Sequence, residues 1–158
     1  IEGLTEQRDA LLREMAARHV LVEIALSSNA AILGVSGAAH PFAAYRRYGV
    51  PMALVSDDPG VLRDDLTADF ARAVVEQGAD YRFLKRMARN SLEYAFVEGA
   101  SLWRDADRFT PVAACAGQLD APACAALAAA SPKARLQLGL ERAFDQFERR
   151  QAAAMDAQ

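Results

Sequence analysis

Two neighbouring carboxylates stand out in the string Ser56-Asp57-Asp58-Pro59-Gly60, which directly follows the apolar run Pro51-Met52-Ala53-Leu54-Val55. Adjacent aspartates can ligate a metal ion, exchange a proton or bind a polar substrate. Taken only as a string, Asp-Asp-Pro-Gly is ordinary turn chemistry. Its place after a strand changes that reading, because side chains at the C-terminal ends of strands in α/β barrels point into the site. Neighbours on an extended chain project to opposite sides, so Asp57 and Asp58 are expected to do different jobs. One would face a metal and the other a substrate.

The remaining chemistry-bearing residues are sparse. A catalytic zinc wants about three protein ligands, yet the only histidines are His19 and His40, which lack the spacing of an HxH or HExxH site. His19 reads as structural and His40, beside Pro41, as a helix-entry residue. The two cysteines, Cys115 and Cys124, lack the clustering of a structural zinc site. They suit either a small disulfide loop in an oxidising compartment or two free thiols. No Gly-rich phosphate loop and no GxSxG elbow is present, so nothing points to a nucleophilic enzyme. Glu23, inside an apolar run, is expected to be buried in a structural ion pair. Arg46-Arg47 and Lys85-Arg86 with Arg89 read as solvated helix faces, and Tyr81, Trp103 and Phe109 as packing groups at helix borders.

Several elements must position these groups. Residues 5–18 read as a helix with Thr5 as its cap and Leu11, Leu12 and Met15 on one face. Val20-Leu21-Val22-Glu23-Ile24 reads as a short buried strand that Ser27-Ser28-Asn29 ends as a turn. His40-Pro41 opens a helix through Tyr48 that Gly49 closes, and a second strand follows over 51–55. Helix, strand, helix, strand with short connections implies parallel strands. After Pro59 the pattern is helical to the end. One helix carries Leu66, Phe70, Ala73, Val74 and Gln77 behind Asp65 or Thr67, and a second runs from Leu84 to Phe96. An alanine-rich helix near 121–130 and a long C-terminal helix with Leu136, Leu140, Phe144 and Phe147 follow, and Gln151–Gln158 reads as a frayed end.

Composition agrees with a folded, helix-rich chain. Of 158 residues 53% are hydrophobic, 25% are charged and the net charge is −3, but 35 are alanine, which buries little and favours helix. No window approaches the roughly 18–20 apolar residues of a membrane span. With 18 basic against 21 acidic residues and no basic stripe, a nucleic-acid partner is not expected. The opening Ile1-Glu2-Gly3, without an initiating methionine or a leader pattern, is expected to lie mid-protein.

Taken together, these strings resemble the adenosine deaminase family. The resemblance runs through Val22-Glu23-Ile24, Ser28-Asn29, His40-Pro41, Gly49-Val50-Pro51 and Ser56-Asp57-Asp58-Pro59. It continues in Asp65-Leu66-Thr67, Asp69-Phe70 and Leu84-Lys85-Arg86-Met87-Ala88-Arg89-Asn90-Ser91-Leu92. It covers about residues 8–98, and the Ser-Asp-Asp-Pro variant with the helical tail is closest in feel to the secreted, growth-factor-related branch. The resemblance implies an α/β chain that forms the last two strands of a TIM (β/α)8 barrel over 1–98, with a helical C-terminal extension over 99–158.

The resemblance also implies hydrolytic deamination of adenosine to inosine and ammonia, with one catalytic Zn2+ activating water for attack at C6. Asp57 would be the zinc-ligating aspartate that also bonds the activated water, and Asp58 the neighbour that contacts purine N7. N7 and a carboxylate are both acceptors, so a proton must lie between them. The upstream histidine ligands and the glutamate of the family are missing from this sequence, and Ala25-Leu26 stands where the family usually has Cys-Pro. The chain is therefore expected to be inactive without an N-terminal part of the same protein. Its partners would be that part, a purine nucleoside and a second copy in a homo-oligomer. The branch implies a Cys115–Cys124 disulfide and a periplasmic or secreted location rather than a cytoplasmic one. Two other readings stand beside it: a deaminase of another aminopurine, and a non-catalytic helical interaction domain derived from the family.

Overall fold

Val22–Ile24 (β1) and Met52–Leu54 (β2) pair in parallel, with Val22 opposite Met52 and Ile24 opposite Leu54, in a computed structural model that describes residues 2–156. A helix, Glu2–Ala17 (α1), precedes β1. Leu26–Leu33 (α2), a 3-10 turn at Gly37–Ala39 and Phe42–Tyr48 (α3) form the crossover between the strands. After β2 come Pro59–Leu62 (α4), Leu66–Gln77 (α5) and Tyr81–Glu93 (α6). The chain divides between Ser91 and Leu92 into two units.

The first unit is organised by what the strands bury. Ile24, Leu26, Phe42, Met52, Leu54, Ala73 and Met87 form one cluster, flanked by Val22, Tyr45, Phe70, Phe83 and Leu84. The period of α5 and α6 puts Phe70 and Ala73, then Phe83, Leu84 and Met87, on their inner faces. Each fully buried large side chain contributes about 1.5–3 kcal/mol. Asn90 on α6 donates its amide N–H to the Met52 carbonyl at 2.8 Å, tying helix to strand. Asp65, not Thr67, caps α5, accepting the N–H groups of Thr67 at 2.8 Å and Ala68 at 3.3 Å. Gly49 closes α3 with φ at 72°, a conformation that a residue with a Cβ adopts only under strain.

Four sequence expectations are corrected here. Ser27-Ser28-Asn29 is not a turn but part of α2, because the Asp69 carboxylate accepts the Ser27 N–H at 2.9 Å and so starts a helix there. Glu23 is exposed and has no ion-pair partner among the described residues; it alternates with Ile24, which is buried on the other face. Arg46 is not simply solvated, since its guanidinium lies 4.6 Å from the Phe83 ring centre. The predicted helix through Phe96 stops at Glu93, and Phe96 is fully exposed.

The second unit explains that stop. Lys133 donates its Nζ–H to the Glu93 carbonyl at 2.8 Å and its backbone N–H to that of Glu98, while Ser131 Oγ donates to the Ala100 carbonyl. Tertiary bonds thus replace helix continuation. The chain then forms an antiparallel pair, Trp103–Asp105 (β3) with Thr110–Pro111 (β4), so it is not helical throughout after Pro59. Pro122–Ala130 (α7) and Pro132–Asp156 (α8) follow. The expected fraying from Gln151 is not seen as far as Asp156, and Ala157 and Gln158 lie outside the described residues.

Cys115 and Cys124 are joined by a disulfide and are 2% and 0% exposed, inside a cluster with Leu102, Trp103, Phe109 and Leu138. The Trp103 and Phe109 rings meet edge to face at 5.4 Å. Gln137 bridges this unit internally, accepting the Leu102 N–H at 2.7 Å and donating to Glu93 Oε2 at 2.7 Å.

Gly99 has φ at 109°, and a Cβ there would collide with the Ser131 side chain. Gly99→Ala is expected to destabilise the second unit by at least about 2 kcal/mol from backbone strain and lost packing. Chemical denaturation followed at Trp103 measures it, and an unchanged midpoint would contradict the argument.

Candidate active site

Parallel pairing brings the C-terminal ends of β1 and β2 to the same edge, and the carboxylates leave the chain there. Asp57 and Asp58 are both exposed. The two are held differently. Ser28 Oγ, from the first turn of α2, donates to Asp57 Oδ2 at 2.9 Å. That bond engages one oxygen and leaves Oδ1 without a partner among the described residues. Asp58 starts α4 with its backbone carbonyl, which accepts the N–H groups of Val61 and Leu62 at 3.1 and 2.9 Å. Its carboxylate makes no cap bond and has no hydrogen-bond or ion-pair partner among the described residues. One carboxylate is oriented and the other is available.

His40 is 3% exposed and serves the helix entry expected of it. Its Nδ1 accepts the Phe42 N–H at 3.0 Å, which requires an unprotonated Nδ1 and therefore a proton on Nε2 of the neutral ring. Nε2 lies 2.8 Å from Asn29 Nδ2, and because an Nε2–H needs an acceptor, this tautomer requires the Asn29 amide to be turned so that its Oδ1 faces the ring. With both ring nitrogens engaged, His40 is not a free metal ligand. His19 ends the first helical segment in a left-handed conformation with φ at 53°, a backbone role.

Among the described residues no group of three His, Cys, Asp or Glu side chains converges to hold a metal ion. The Asp57 environment nevertheless suits a single ligand position: a carboxylate with one oxygen anchored by a hydroxyl presents the other in a fixed direction, the usual outer support of a metal-bound carboxylate. The further ligands of a closed site are not supplied by the described residues.

Sequence reasoning singled out Asp57 and Asp58 but not Ser28 or Asp69 as contributors to this geometry. The available signal was Ser28, four residues past the buried strand in a segment whose first residue, Ala25, has no side chain that can cap a helix.

Carboxylates beyond the C-terminal end of a parallel strand, beside a hydroxyl that orients one of them, occupy the position where α/β folds carry their functional side chains. The adenosine deaminase family model matches residues 2–104, and the chain belongs to that family. It is 34% identical over 102 residues to the aminodeoxyfutalosine deaminase of Streptomyces coelicolor, which covers 64% of this chain and 26% of that protein. It is 33% identical over 95 residues to the aminodeoxyfutalosine deaminase of Streptomyces avermitilis, covering 60% and 26%. The adenosine deaminase of Escherichia coli is 29% identical over 89 residues, covering 56% and 27%. The chain thus spans about a quarter of the length of these curated relatives. No solved structure matches it significantly.

Burial pushes the His40 imidazole below its ordinary value of 6.5, with Glu76 opposing the shift. The folded state then binds fewer protons than the unfolded one. His40's contribution is fully present above pH 6.5 and is lost as the pH falls from there through the lower folded value. His40→Asn retains an acceptor for Phe42 without titrating. The stability gap between wild type and this variant should shrink on going from pH 7 to pH 4.5 in denaturant titrations, and a constant gap would refute it.

Proposed function

We propose that this chain is the C-terminal part of a zinc-dependent deaminase of adenine-type nucleosides, contributing the last two strands of a (β/α)8 barrel and completed by an upstream part of the protein. The observation that carries the proposal is the Ser28-anchored Asp57 at the β2 terminus, within the segment that matches the family. Asp57, with one oxygen restrained by Ser28, would hold one position of the metal. Bound zinc supplies the Lewis acidity that activates water against the amino-bearing carbon. Asp58, whose carboxylate is not spent on capping α4, contacts N7 of the purine with a proton shared between the two acceptors. The missing ligands and the general acid come from the upstream part.

Aminodeoxyfutalosine is the second substrate reading, favoured by the 34% and 33% identities to the two Streptomyces proteins. The ratio of kcat/KM for adenosine and aminodeoxyfutalosine in the completed enzyme decides between them. Stoichiometric zinc in material that contains both parts supports the proposal. Asp57→Ala should lower turnover to the level of the metal-free protein, and retained activity would remove its role.

The buried Cys115–Cys124 bond supports placement in an oxidising compartment. Under the chain-entropy model its short loop contributes about 2–3 kcal/mol. Denatured, non-reduced protein should show no titratable thiol, and the double serine variant should lose stability of that order; two reactive thiols would overturn both statements.

A further inference from the structure

Asp69 is a carboxylate only 2% exposed, on α5, and it pairs with no basic side chain among the described residues. Its one hydrogen bond among the described residues is to the Ser27 N–H, 42 positions away in sequence, at 2.9 Å. Burying a charge is costly unless something compensates it. Here the compensation is the start of a helix. The residue preceding α2 is Ala25, whose side chain makes no cap bond, so the first turn of α2 has no local acceptor for its free N–H groups. Asp69 supplies that acceptor from outside and places negative charge where the helix dipole favours it. Ser27 itself offers no other anchor, since its buried hydroxyl has no partner among the described residues.

One residue further along the same turn, Ser28 Oγ holds Asp57 Oδ2. The middle of this crossover is fastened to the same helix, with Glu76 accepting the Gly37 N–H at 3.2 Å and Gln77 donating to the Gly37 carbonyl at 2.9 Å. We propose that Asp69 is a positioning residue for the reaction, setting the orientation of Asp57 through the first turn of α2 and the Ser28 hydroxyl. The inference rests on Asp57 being a metal ligand. A cap that merely stabilised the fold would be interchangeable with any other stabilising contact; this one fixes the turn that carries the hydroxyl.

The test is a double-mutant cycle on zinc affinity, measured by chelator competition with the complete apo-enzyme, with kcat and KM recorded alongside. Asp69→Leu should weaken zinc binding by about 10-fold or more, the usual size of such outer-shell effects. It should lower kcat with little change in KM. Asp69→Asn, whose amide oxygen still accepts the Ser27 N–H, should restore most of both. In a Ser28→Ala background Asp69→Leu should add less than about twofold, because the route to Asp57 is already cut. Equal losses in the two backgrounds, or full zinc affinity in a folded Asp69→Leu protein, would overturn the proposal. If Asp69→Leu does not fold, Asp69→Ser, which shortens the side chain beyond reach of the N–H, is read the same way. Zinc affinity unaltered by Asp57→Ala would instead sink the metal-ligand reading itself and this inference with it.

Discussion

The parallel register between β1 and β2 is the constraint on which the rest of this chain depends. Pairing Val22 with Met52 and Ile24 with Leu54 brings two strand ends together, although Ser28 and Asp57 are 29 positions apart. A one-residue slip of β1 would turn Ile24 away from the core, put Glu23 in its place and carry Ser28 away from Asp57. The apolar cluster under the strands therefore does chemical service: burying Ile24, Met52 and Leu54 sets where a hydroxyl and a carboxylate meet.

Much of this was legible in the sequence because it is local. The Asp57-Asp58 pair, the parallel helix–strand order, the His40-Pro41 helix entry and the closure of α3 at Gly49 follow from short-range patterns. What escaped depends on distant partners. Ser27-Ser28-Asn29 has the composition of a turn and becomes a helix because a carboxylate 42 positions away accepts its N–H. Glu23 looked like a buried charge because its neighbours are apolar, yet alternation along β1 sends it to the open face. The α6 stop at Glu93 is imposed by Lys133, 40 positions on, and no local signal announces it.

The tail shows the opposite failure. Alanine content and helical periodicity dominated its reading and hid β3 and β4, whose short antiparallel pair is built around a bulge and the left-handed Phe109. Two or three residues carry too little pattern to compete with a helical background. Trp103 and Phe109 are packing groups, as their residue types imply, but at a strand and a turn rather than at helix borders.

Each strand of the β1–β2 pair hydrogen-bonds on one side only, so two backbone edges remain open among the described residues. Three residues make a poor template for an intruding strand, which limits the hazard. Those same edges can accept a further strand in either direction. A neighbour that pairs in parallel would bring its C-terminal end to the Ser28–Asp57 side, whereas an antiparallel one would bring its N-terminal end there, so strand direction decides which side chains could reach that edge.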